Sequence, residues 1–353
     1  MKQFDVGVFI GRFQPFHLGH VHNIRVGLAS CEKMVLIIGS AFRSRSIKNP
    51  FTFAERKKMI LADLASVDAS WVERVSIEPV SDWLYNEPAW IDETQQAVLK
   101  HAKNDSIADS IADSIAIVGH EKDGSSYYLK CFPEWSFIEV DNYKQYNATE
   151  FREVMFQNRT LLADKYLVSK NESTTESSTN FLAEFMSCDI YSTLLDEYRY
   201  IQEYKEAWSQ APYAPIFVTV DAVVICLDHI LLVQRKHQPG KGLWALPGGF
   251  LEPEERVLDG IMRELDEETT LGCSSQVLRE SLQKIQVFDY PDRSLRGRTI
   301  THAGYFKIED DPLPEIQAAD DAADTKWVKL ETFWKMPEQM MDDHYQIVRT
   351  LIG

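Results

Sequence analysis

The first apolar segments of the chain follow the order strand, helix, strand. Residues 4–10 form a short, continuous apolar run that stops at Gly11, as a buried parallel strand does. Apolar residues then recur at helical spacing over residues 21–28, and residues 34–38 supply a second apolar run. This order predicts a βαβ unit, and therefore a parallel sheet, in the N-terminal part of the chain.

A second pattern begins near the middle of the chain. Two apolar runs, residues 216–226 and 230–235, are separated by a short turn and predict a β-hairpin. After residue 248 the spacing becomes helical, and we expect a helix that begins close to Pro253, because a first helical turn tolerates a missing N–H. Its apolar stripe consists of Val257, Leu258, Ile261, Met262 and Leu265.

A repeat, a polar segment and a further predicted helix lie between these two regions. Residues 105–116 repeat the tetrapeptide SIAD, to which we assign no chemistry. Residues 169–180 are small and polar, which indicates an exposed loop or linker, whereas residues 191–208 predict a helix that bridges the two regions. We therefore predict a first domain at 1–183, a linker and bridging helix at 184–211, and a second domain at 212–353.

Length and charge narrow the class of protein. A length of 353 residues is sufficient for two domains. The composition, with 44% hydrophobic and 26% charged residues, is that of an ordinary globular protein. The formal net charge of −17 argues against a surface that binds nucleic acid, because a negatively charged protein repels phosphates. The five cysteines show no CxxC spacing, which fits reduced thiols. With no membrane-length apolar run, we expect a soluble, cytoplasmic protein without a membrane partner.

Three carboxylates on the predicted C-terminal helix are the clearest chemical signal. Glu264, Glu267 and Glu268 are spaced i, i+3, i+4 and therefore share one helix face. Carboxylates this close repel each other unless a cation compensates them, and hard oxygen ligands suit Mg²⁺ or Mn²⁺. The alternative is a solvated acidic helix, which would not require a glycine, an arginine and three glutamates at set distances.

The segment at residues 248–271 resembles the Nudix box. In that motif a glycine, a glutamate and then Arg-Glu-apolar-x-Glu-Glu-x-Gly-apolar follow at fixed distances. One position departs, because Thr270 stands where the family has its last glycine. A β-branched residue is poor at the left-handed geometry of a helix end, so we expect Gly272 to move the cap two residues on. The residues in register are Gly249, Glu255, Arg263, Glu264, Leu265, Glu267, Glu268 and Leu271.

Paired imidazoles follow the first predicted strand. His17 and His20 lie where a strand ends and a helix begins, the usual anion site of an α/β sheet, and can donate N–H bonds to phosphate oxygens. The sequence GRFQPFHLGH resembles the HxGH region of the nucleotidyltransferase superfamily and is similar to archaeal-type nicotinamide mononucleotide (NMN) adenylyltransferases. The resemblance implies catalytic roles for both histidines. It also implies nucleotide contacts from Gly11, Arg12 and Phe13.

Two further segments of the first domain resemble phosphate-binding parts of that family. The basic loop around Lys48 resembles the segment that meets triphosphate, although Arg43 and Arg45 lie in the same loop and could take that role. The later sequence NATEFR resembles the SxTxxR motif, which binds the β- and γ-phosphates. This second resemblance implies phosphate binding by Thr149 and a catalytic role for Arg152.

Two more segments supply candidates for binding the nucleotide bases and sugars. Asp82, Asn86 and Trp90 resemble the family segment that holds the nicotinamide nucleotide, where an indole can stack on a pyridinium ring. Gly119 and His120 end a predicted strand at its carboxyl end, where ligands bind to α/β sheets.

A basic loop after the Nudix box resembles the ADP-ribose pyrophosphatase branch of that family. The resemblance implies that Arg296 and Arg298 of this loop bind substrate. The alternative is that both are solvated residues of a basic loop. The resemblance further implies that Gly249 and the three glutamates hold Mg²⁺ or Mn²⁺, and that ADP-ribose is hydrolysed to AMP and ribose 5-phosphate. We expect Arg263 to be a structural partner of Glu255.

The resemblance covers nearly the whole chain and implies a bifunctional NMN adenylyltransferase/Nudix hydrolase. The expected fold is α/β, with an N-terminal Rossmann-like nucleotidyltransferase domain and a C-terminal Nudix α/β/α sandwich. The expected partners are ATP, NMN, NAD and ADP-ribose, without nucleic acid, and formation of a homo-oligomer is left open. Two alternatives stand beside it: a non-catalytic Nudix domain that senses ADP-ribose or NAD, and an adenylyltransferase for another acceptor, such as nicotinic acid mononucleotide.

Overall fold

The computed structural model divides the chain into two units, Met1–Leu195 and Asp196–Gly353. The boundary falls within the stretch 184–211 that the sequence assigns to a linker and bridging helix. Most of the SIAD repeat and residues 169–175 lie outside the described residues. The residues that the structure describes are 2–102, 114–120, 124–141, 143, 147–157, 176–309, 312–319 and 322–353.

Five parallel strands form the sheet of the first unit, in the order β3-β2-β1-β4-β5. The chain builds outward from β1 on one side and then returns to the other side at β4. The crevice between β1 and β4 is therefore the switch point at which such sheets bind ligands. The strands are β1 Phe4–Gly11, β2 Cys31–Ile38, β3 Val75–Pro79, β4 Ile115–Gly119 and β5 Ser136–Glu139.

Helices pack on both faces of this sheet. Phe9 of β1 joins the core formed with Ile24 of the first helix, whereas its neighbours Val8 and Ile10 join a second core with Val98. Both faces of the strands are thus buried, which explains their continuous apolar runs. The helices are α1 Leu18–Ser30, α2 Phe53–Val67, α3 Ala69–Arg74, α4 Glu87–Leu99, a 3₁₀-helix Gly124–Lys130, α5 Ala148–Gln157, α6 Glu176–Phe185, and α7 Asp189–Ala207, which crosses the unit boundary.

The prediction of an exposed loop at residues 169–180 is wrong for its last part. Helix α6 begins at Glu176, and Ser178 is fully buried. Its hydroxyl donates to Oδ2 of Asp63 at 2.6 Å. Serine is a turn former in isolation, but a buried carboxylate partner outweighs that local preference. The helix predicted at residues 191–208 is present as α7.

The sheet of the second unit is mixed. Its path runs β10-β11-β6-β7-β12, with β8 beside β7 and β9 beside β6, and only β6 and β11 of the paired strands described run parallel. The predicted hairpin is confirmed, and its turn residues Leu227 and Asp228 have φ of 44° and 62°, as a tight two-residue turn requires. The strands are β6 Ile216–Cys226, β7 His229–Arg235, β8 Trp244–Ala245, β9 Gly248–Phe250, β10 Leu282–Phe288, β11 Arg298–Ile308 and β12 Ala322–Lys329.

The helix that carries the three glutamates begins later than the sequence predicts. It starts at Val257 and not near Pro253, because the carboxylate of Glu255 accepts from the backbone N–H of Glu252 at 2.8 Å and holds the preceding residues in a loop. Ile261 and Leu265 pack on the sheet as the apolar stripe predicts. The helices of this unit are α8 Val257–Thr269, α9 Ser275–Ser281, α10 Leu330–Phe333, a 3₁₀-helix Pro337–Gln339 and α11 His344–Ile352.

Thr270 itself closes helix α8. It adopts the left-handed conformation, with φ 41° and ψ 51°, and its N–H donates to Asp266 O at 2.9 Å. The expectation that Gly272 moves the cap is therefore wrong. The N–H of Gly272 instead donates to Glu315 O at 2.8 Å, which fixes the chain beyond the helix.

The α/β fold class predicted from the sequence is confirmed in both units. The first unit is a parallel sheet with helices on both faces, and the second contains the strand, strand, loop and helix order expected of a Nudix domain. Among the helices that the structure describes, none combines the length and the apolar character needed to cross a membrane.

Replacing Thr270 with glycine should stabilise the second unit. A β-branched residue in the left-handed region is strained, and glycine removes that strain at a smaller cost in unfolded-chain entropy. We expect Thr270→Gly to raise the unfolding free energy by about 1 kcal/mol, measured by urea denaturation. Thr270→Ala keeps the Cβ atom and should gain less. A lower midpoint for the glycine variant would contradict this account of the cap.

Candidate active sites

A pocket of about 350 Å³ lies at the carboxyl ends of β1 and β4, at the switch point of the first sheet. The first turns of α1 and α5 border it. It brings together both predicted imidazoles and the predicted phosphate-binding pair. The predicted site residues that line it are Gly11, Arg12, Phe13, His17, His20, Gly119, His120, Thr149 and Arg152.

The start of α1 holds the two histidines. His17 is the N-cap residue, and its backbone N–H donates to Nδ1 of His20 at 3.2 Å. The two imidazole rings stack with centroids 3.6 Å apart, and the rings of Phe13 and Phe16 pack against His20. Because Nδ1 of His20 accepts a hydrogen bond, the neutral ring carries its proton on Nε2. Nε2 of His20 is thus the donor nitrogen, as the expected contact with a phosphate oxygen requires.

Arg152 is anchored by main-chain oxygens and is only 7% exposed. Its guanidinium donates to Gln14 O at 2.6 Å, to Ala148 O at 3.1 Å and to Thr149 Oγ1 at 3.1 Å. Burial, reinforced by nearby Arg12, lowers the pKa of Arg152 to about 10. Arg152 is still protonated at neutral pH, so two arginines make this pocket locally positive in an acidic protein.

A second buried arginine fixes the main chain beside the pocket. Arg56 is 1% exposed, and its Nη1 donates to the carbonyls of Arg12 and Gly39, both at 2.8 Å. Its Nη2 donates to Ser40 O at 2.9 Å. These carbonyls follow β1 and β2, so one cation positions both strand ends. In the sequence, Arg56 falls in the family segment around Lys48 but receives no role of its own, because its partners are backbone atoms.

Four predicted substrate-binding residues are not among those that line the pocket. Asp82 accepts from the N–H and the hydroxyl of Ser40, each at 3.1 Å. Asn86 caps α4, and the ring of Trp90 packs against Phe132 with centroids 5.7 Å apart. The contacts seen here are those of a turn, a helix cap and a core. The four residues, whose substrate roles stay predictions, are Lys48, Asp82, Asn86 and Trp90.

The pocket also contains side chains that the sequence analysis missed. Asn23 lies one helical turn after His20, so the spacing of α1 could have found it. Tyr128 comes from the 3₁₀-helix that follows β4, and Asp141 and Tyr143 follow β5. No local pattern marks these last three residues, because only the sheet topology brings them to the pocket.

Arg263 links the acidic groups of the second site. Its guanidinium donates to both carboxylate oxygens of Glu255, at 2.7 and 3.1 Å, which confirms the predicted pairing. Its Nη1 also donates to Glu264 at 2.8 Å and to Glu267 at 2.9 Å, and Nη2 donates to Phe250 O at 3.1 Å. These hydrogen bonds lower the pKa of Glu255. One cation therefore connects the glycine-containing strand β9, the loop and helix α8.

Glu268 is the most buried of the three glutamates. It is 8% exposed, and its Oε2 accepts from the backbone N–H of Gly248 at 2.9 Å. Burial raises the pKa of Glu268 to about 8 against that hydrogen bond, and the nearby carboxylates of Glu264 and Asp221 raise it further. Burial likewise raises the pKa of Glu264. A bound cation would stabilise the ionised form of carboxylates in such surroundings.

The donor set fits a divalent cation, although its members are not gathered around one point. Among the described residues, no three His, Cys, Asp or Glu side chains are grouped closely enough to hold a metal ion. Arg263 accounts for this, because its Nη1 bridges Glu264 and Glu267. The backbone of Gly249 lies so close to Glu264 that a Cβ atom there would meet the carboxylate oxygens at 2.5 and 2.6 Å. Hard oxygen donors and a required glycine are consistent with a metal site.

The two arginines of the basic loop have different surroundings. Arg298 donates to Asp289 O, and its Nη2 lies 3.9 Å from the carboxylate of that residue. Arg296 lies over the rings of Tyr204 and Phe250, with Cζ 5.9 and 5.2 Å from their centroids. Phe250 directly follows Gly249, so Arg296 lies beside the Nudix segment. The substrate roles of both arginines stay predictions.

Two protein families match the chain, one in each unit. The family described as cytidylyltransferase-like matches residues 8–154, and the family described as NUDIX domain matches residues 215–351. The first match contains the HxGH pocket, and the second contains helix α8 and its carboxylates. The fold and the two sites thus define the class of the protein, a nucleotidyltransferase joined to a Nudix domain.

Two solved structures match this chain over nearly its whole length. Two crystal structures of a bifunctional NMN adenylyltransferase/ADP ribose pyrophosphatase from Francisella tularensis, one complexed with AMP and a Mn ion, are 48% identical to this chain. Their TM-scores are 0.90 and 0.89, and the matches cover 99% of this chain and 98% of theirs. The chain belongs to this bifunctional family.

Single-activity relatives match the two halves separately. A nicotinamide/nicotinic acid mononucleotide adenylyltransferase of Acinetobacter baylyi is 36% identical over 200 residues, 56% of this chain and 96% of the relative. An ADP-ribose pyrophosphatase of Methanocaldococcus jannaschii is 35% identical over 132 residues, 37% of this chain and 70% of the relative.

Alanine at the two glycines of β9 should separate metal binding from stability. At Gly249 the new Cβ meets the end of a side chain, Glu264, which can move away and leave the metal donors disordered. We expect Gly249→Ala to weaken Mn²⁺ binding about tenfold or more, measured by electron paramagnetic resonance. Its unfolding free energy should change by less than about 1 kcal/mol.

Gly248→Ala is the matched variant. Its Cβ would lie 2.2 Å from Val220 O, a backbone atom that cannot yield without shifting strand β6. We expect a loss of about 2 kcal/mol in unfolding free energy. Wild-type Mn²⁺ affinity in the Gly249 variant would contradict the assignment of this strand to the metal site.

Proposed function

We propose that the first unit transfers AMP from ATP to NMN, giving NAD and pyrophosphate, and that the second unit hydrolyses ADP-ribose to AMP and ribose 5-phosphate. The observation that carries this proposal is the presence of the HxGH motif and of a Nudix box that departs only at Thr270, in one chain that matches a bifunctional relative over 99% of its length. His17, His20 and Arg152 share a pocket, and the three glutamates share one face near the carboxyl end of α8.

The first reaction needs positioning and charge stabilisation. The 5′-phosphate of NMN attacks the α-phosphorus of ATP in line, and pyrophosphate leaves without a covalent enzyme intermediate. The Nε2–H of His20, together with His17, Arg12 and Arg152, stabilises the charge that develops on the phosphate oxygens. Thr149 orients Arg152. The remaining proposed substrate contacts are Gly11, Phe13, Lys48, Asp82, Asn86, Trp90, Gly119 and His120.

The second reaction uses a divalent cation, in this proposal Mg²⁺. The carboxylates of α8 and the main-chain carbonyl of Gly249 would hold it, and the bound cation would polarise the diphosphate and activate a water. The Mn ion in the Francisella tularensis structure supports a divalent ion. The chain itself fixes Glu268 through the N–H of Gly248 and aligns Glu264 and Glu267 through Arg263. Arg296 and Arg298 are the proposed substrate contacts.

The alternative of a non-catalytic sensor rests on Thr270. That alternative requires the threonine to disturb the end of α8. The helix closes at Thr270 with its N–H bonded to Asp266 O at 2.9 Å, and Glu267 and Glu268 keep their places on the helix. The feature that favours a sensor in the sequence therefore does not disrupt the helix end in the fold, and hydrolysis is the better proposal.

The hydrolase proposal is tested by AMP release from ADP-ribose with Mg²⁺. We expect the double variant Glu267→Gln, Glu268→Gln to lose about two orders of magnitude or more in turnover, because it loses two anionic donors. Glu254→Gln, which neutralises an exposed glutamate just before the helix, is the matched control and should retain activity. The double variant should also still make NAD. Tight ADP-ribose binding without turnover in the wild-type chain would establish the sensor instead.

The adenylyltransferase proposal is tested by NAD formation from NMN and ATP. Arg152→Met removes a protonated donor from the phosphate pocket, so kcat/KM should fall about tenfold to a hundredfold. Arg152→Lys keeps the positive charge but loses the planar fork of N–H donors. Its kcat/KM should therefore lie between those of the wild type and of Arg152→Met. Arg25→Met, on the exposed face of α1, is the control. Unchanged NAD synthesis by the methionine variant would reject the role of Arg152.

A further inference from the structure

Arg296 is a cation without a direct ion pair among the described residues. Within the part of the chain that the structure describes, its guanidinium has no carboxylate at salt-bridge distance, although the charge of Asp342 acts on it from farther away, and its Nε is buried without a hydrogen-bond acceptor. Two other arginines of the unit have such a partner, since Arg263 reaches Glu255 at 2.7 Å and the buried Arg293 reaches Asp343 at 2.9 Å. A buried, charged donor without an acceptor is costly unless a ligand supplies one.

Two aromatic rings hold this guanidinium in place. Tyr204 and Phe250 both lie under it, and Phe217 packs edge-on against each of them at 5.6 and 6.0 Å. Ring faces stabilise a cation but leave the N–H groups along its edge unused. Gly297 permits the close packing, since a Cβ atom there would lie 3.0 Å from the ring of Phe217. The cluster is therefore a fixed support for one positive group.

The cluster borders the proposed hydrolytic site. Phe250 is the residue after Gly249, and its carbonyl accepts from Arg263 at 3.1 Å. Arg235 extends the positive side. Burial and then the charge of Arg296 lower the pKa of Arg235, while the carboxylates of Asp342 and then Glu268 oppose that effect. Arg235 thus lies within electrostatic reach of both Arg296 and the carboxylates. An anion between them would meet positive groups on one side and the cation-binding helix on the other.

We propose that Arg296 binds the diphosphate of the substrate and that Tyr204 and Phe250 are positioning residues for it. The inference deepens the proposed ADP-ribose hydrolysis and rests on it. A planar fork with unused N–H donors matches phosphate oxygens. An adenine ring is a poorer match, because the ring faces that could stack on it already face the guanidinium. The chemical class recognised is a nucleoside diphosphate derivative.

Helix α7 consequently belongs to the hydrolytic site. Tyr204 lies on α7, outside the residues 215–351 that match the NUDIX family. The sequence indicates only packing for the aromatic stripe of this helix. In the fold, one member of that stripe fixes the orientation of a substrate-binding arginine.

Steady-state hydrolysis of ADP-ribose by the full-length chain tests the proposal, because it reports on this site alone. Arg296→Met should raise KM for ADP-ribose and the inhibition constant of AMP about tenfold or more, while kcat changes less than about threefold. The inhibition constant of adenosine, which has no phosphate, should not change. Tyr204→Leu should raise KM in the same direction to a smaller extent, and Tyr204→Phe, which keeps the ring, should resemble the wild type.

Matched controls separate this effect from general damage. Arg279→Met removes an exposed arginine that pairs with Asp259, and Tyr213→Leu removes a tyrosine that is 86% exposed. Both should keep wild-type KM. A wild-type KM for Arg296→Met, a loss confined to kcat, or an equal loss of adenosine affinity would overturn the proposal while leaving hydrolysis established. Absence of ADP-ribose turnover in the wild-type chain would overturn the proposed function and this assignment together.

Discussion

Mutual repulsion among carboxylates is the constraint on which the second unit depends. Helix α8 places Glu264, Glu267 and Glu268 on one face, and the loop before it adds Glu255. Arg263 bonds to three of these four and to the backbone of β9, so one guanidinium sets the distance between strand, loop and helix. Glu255 of this arrangement also accepts from the N–H of Glu252, which delays the start of α8, and a Cβ atom at Gly249 would collide with the carboxylate of Glu264.

The first unit uses buried arginines in the opposite way. Arg56 and Arg152 donate to main-chain carbonyls, which are neutral, so these hydrogen bonds do not cancel their charge. In the second unit the partners of Arg263 are three carboxylates, so this group of side chains keeps a net negative charge. The same type of side chain is therefore found in a positively charged pocket in one unit and among acidic groups in the other, in a chain whose net charge is −17.

The parts that could be predicted from sequence are those determined by local periodicity and motif spacing. The β1, α1, β2 order, the histidines at the start of α1 and the stripe of α8 all belong to this kind. The start of α8, the cap at Thr270 and the helix at Glu176 depend on hydrogen bonds or buried partners that local patterns did not reveal. Trp90 packs on Phe132, far along the chain, and Tyr204 meets Arg296 across the fold. Spacing alone cannot assign such residues, because tertiary packing selects their partners.

The bridging of Glu264 and Glu267 by Arg263 bears on how the hydrolase unit would tolerate changes in ion supply. In small metal-dependent domains the ion is needed for folding, so that chelators denature them. Here an internal counterion already offsets the charge of α8, and the helix packs through Ile261 and Leu265 regardless. Occupancy by the ion is thereby uncoupled from the integrity of the fold. Chelation should silence this unit reversibly, and the activity should return when the ion is restored.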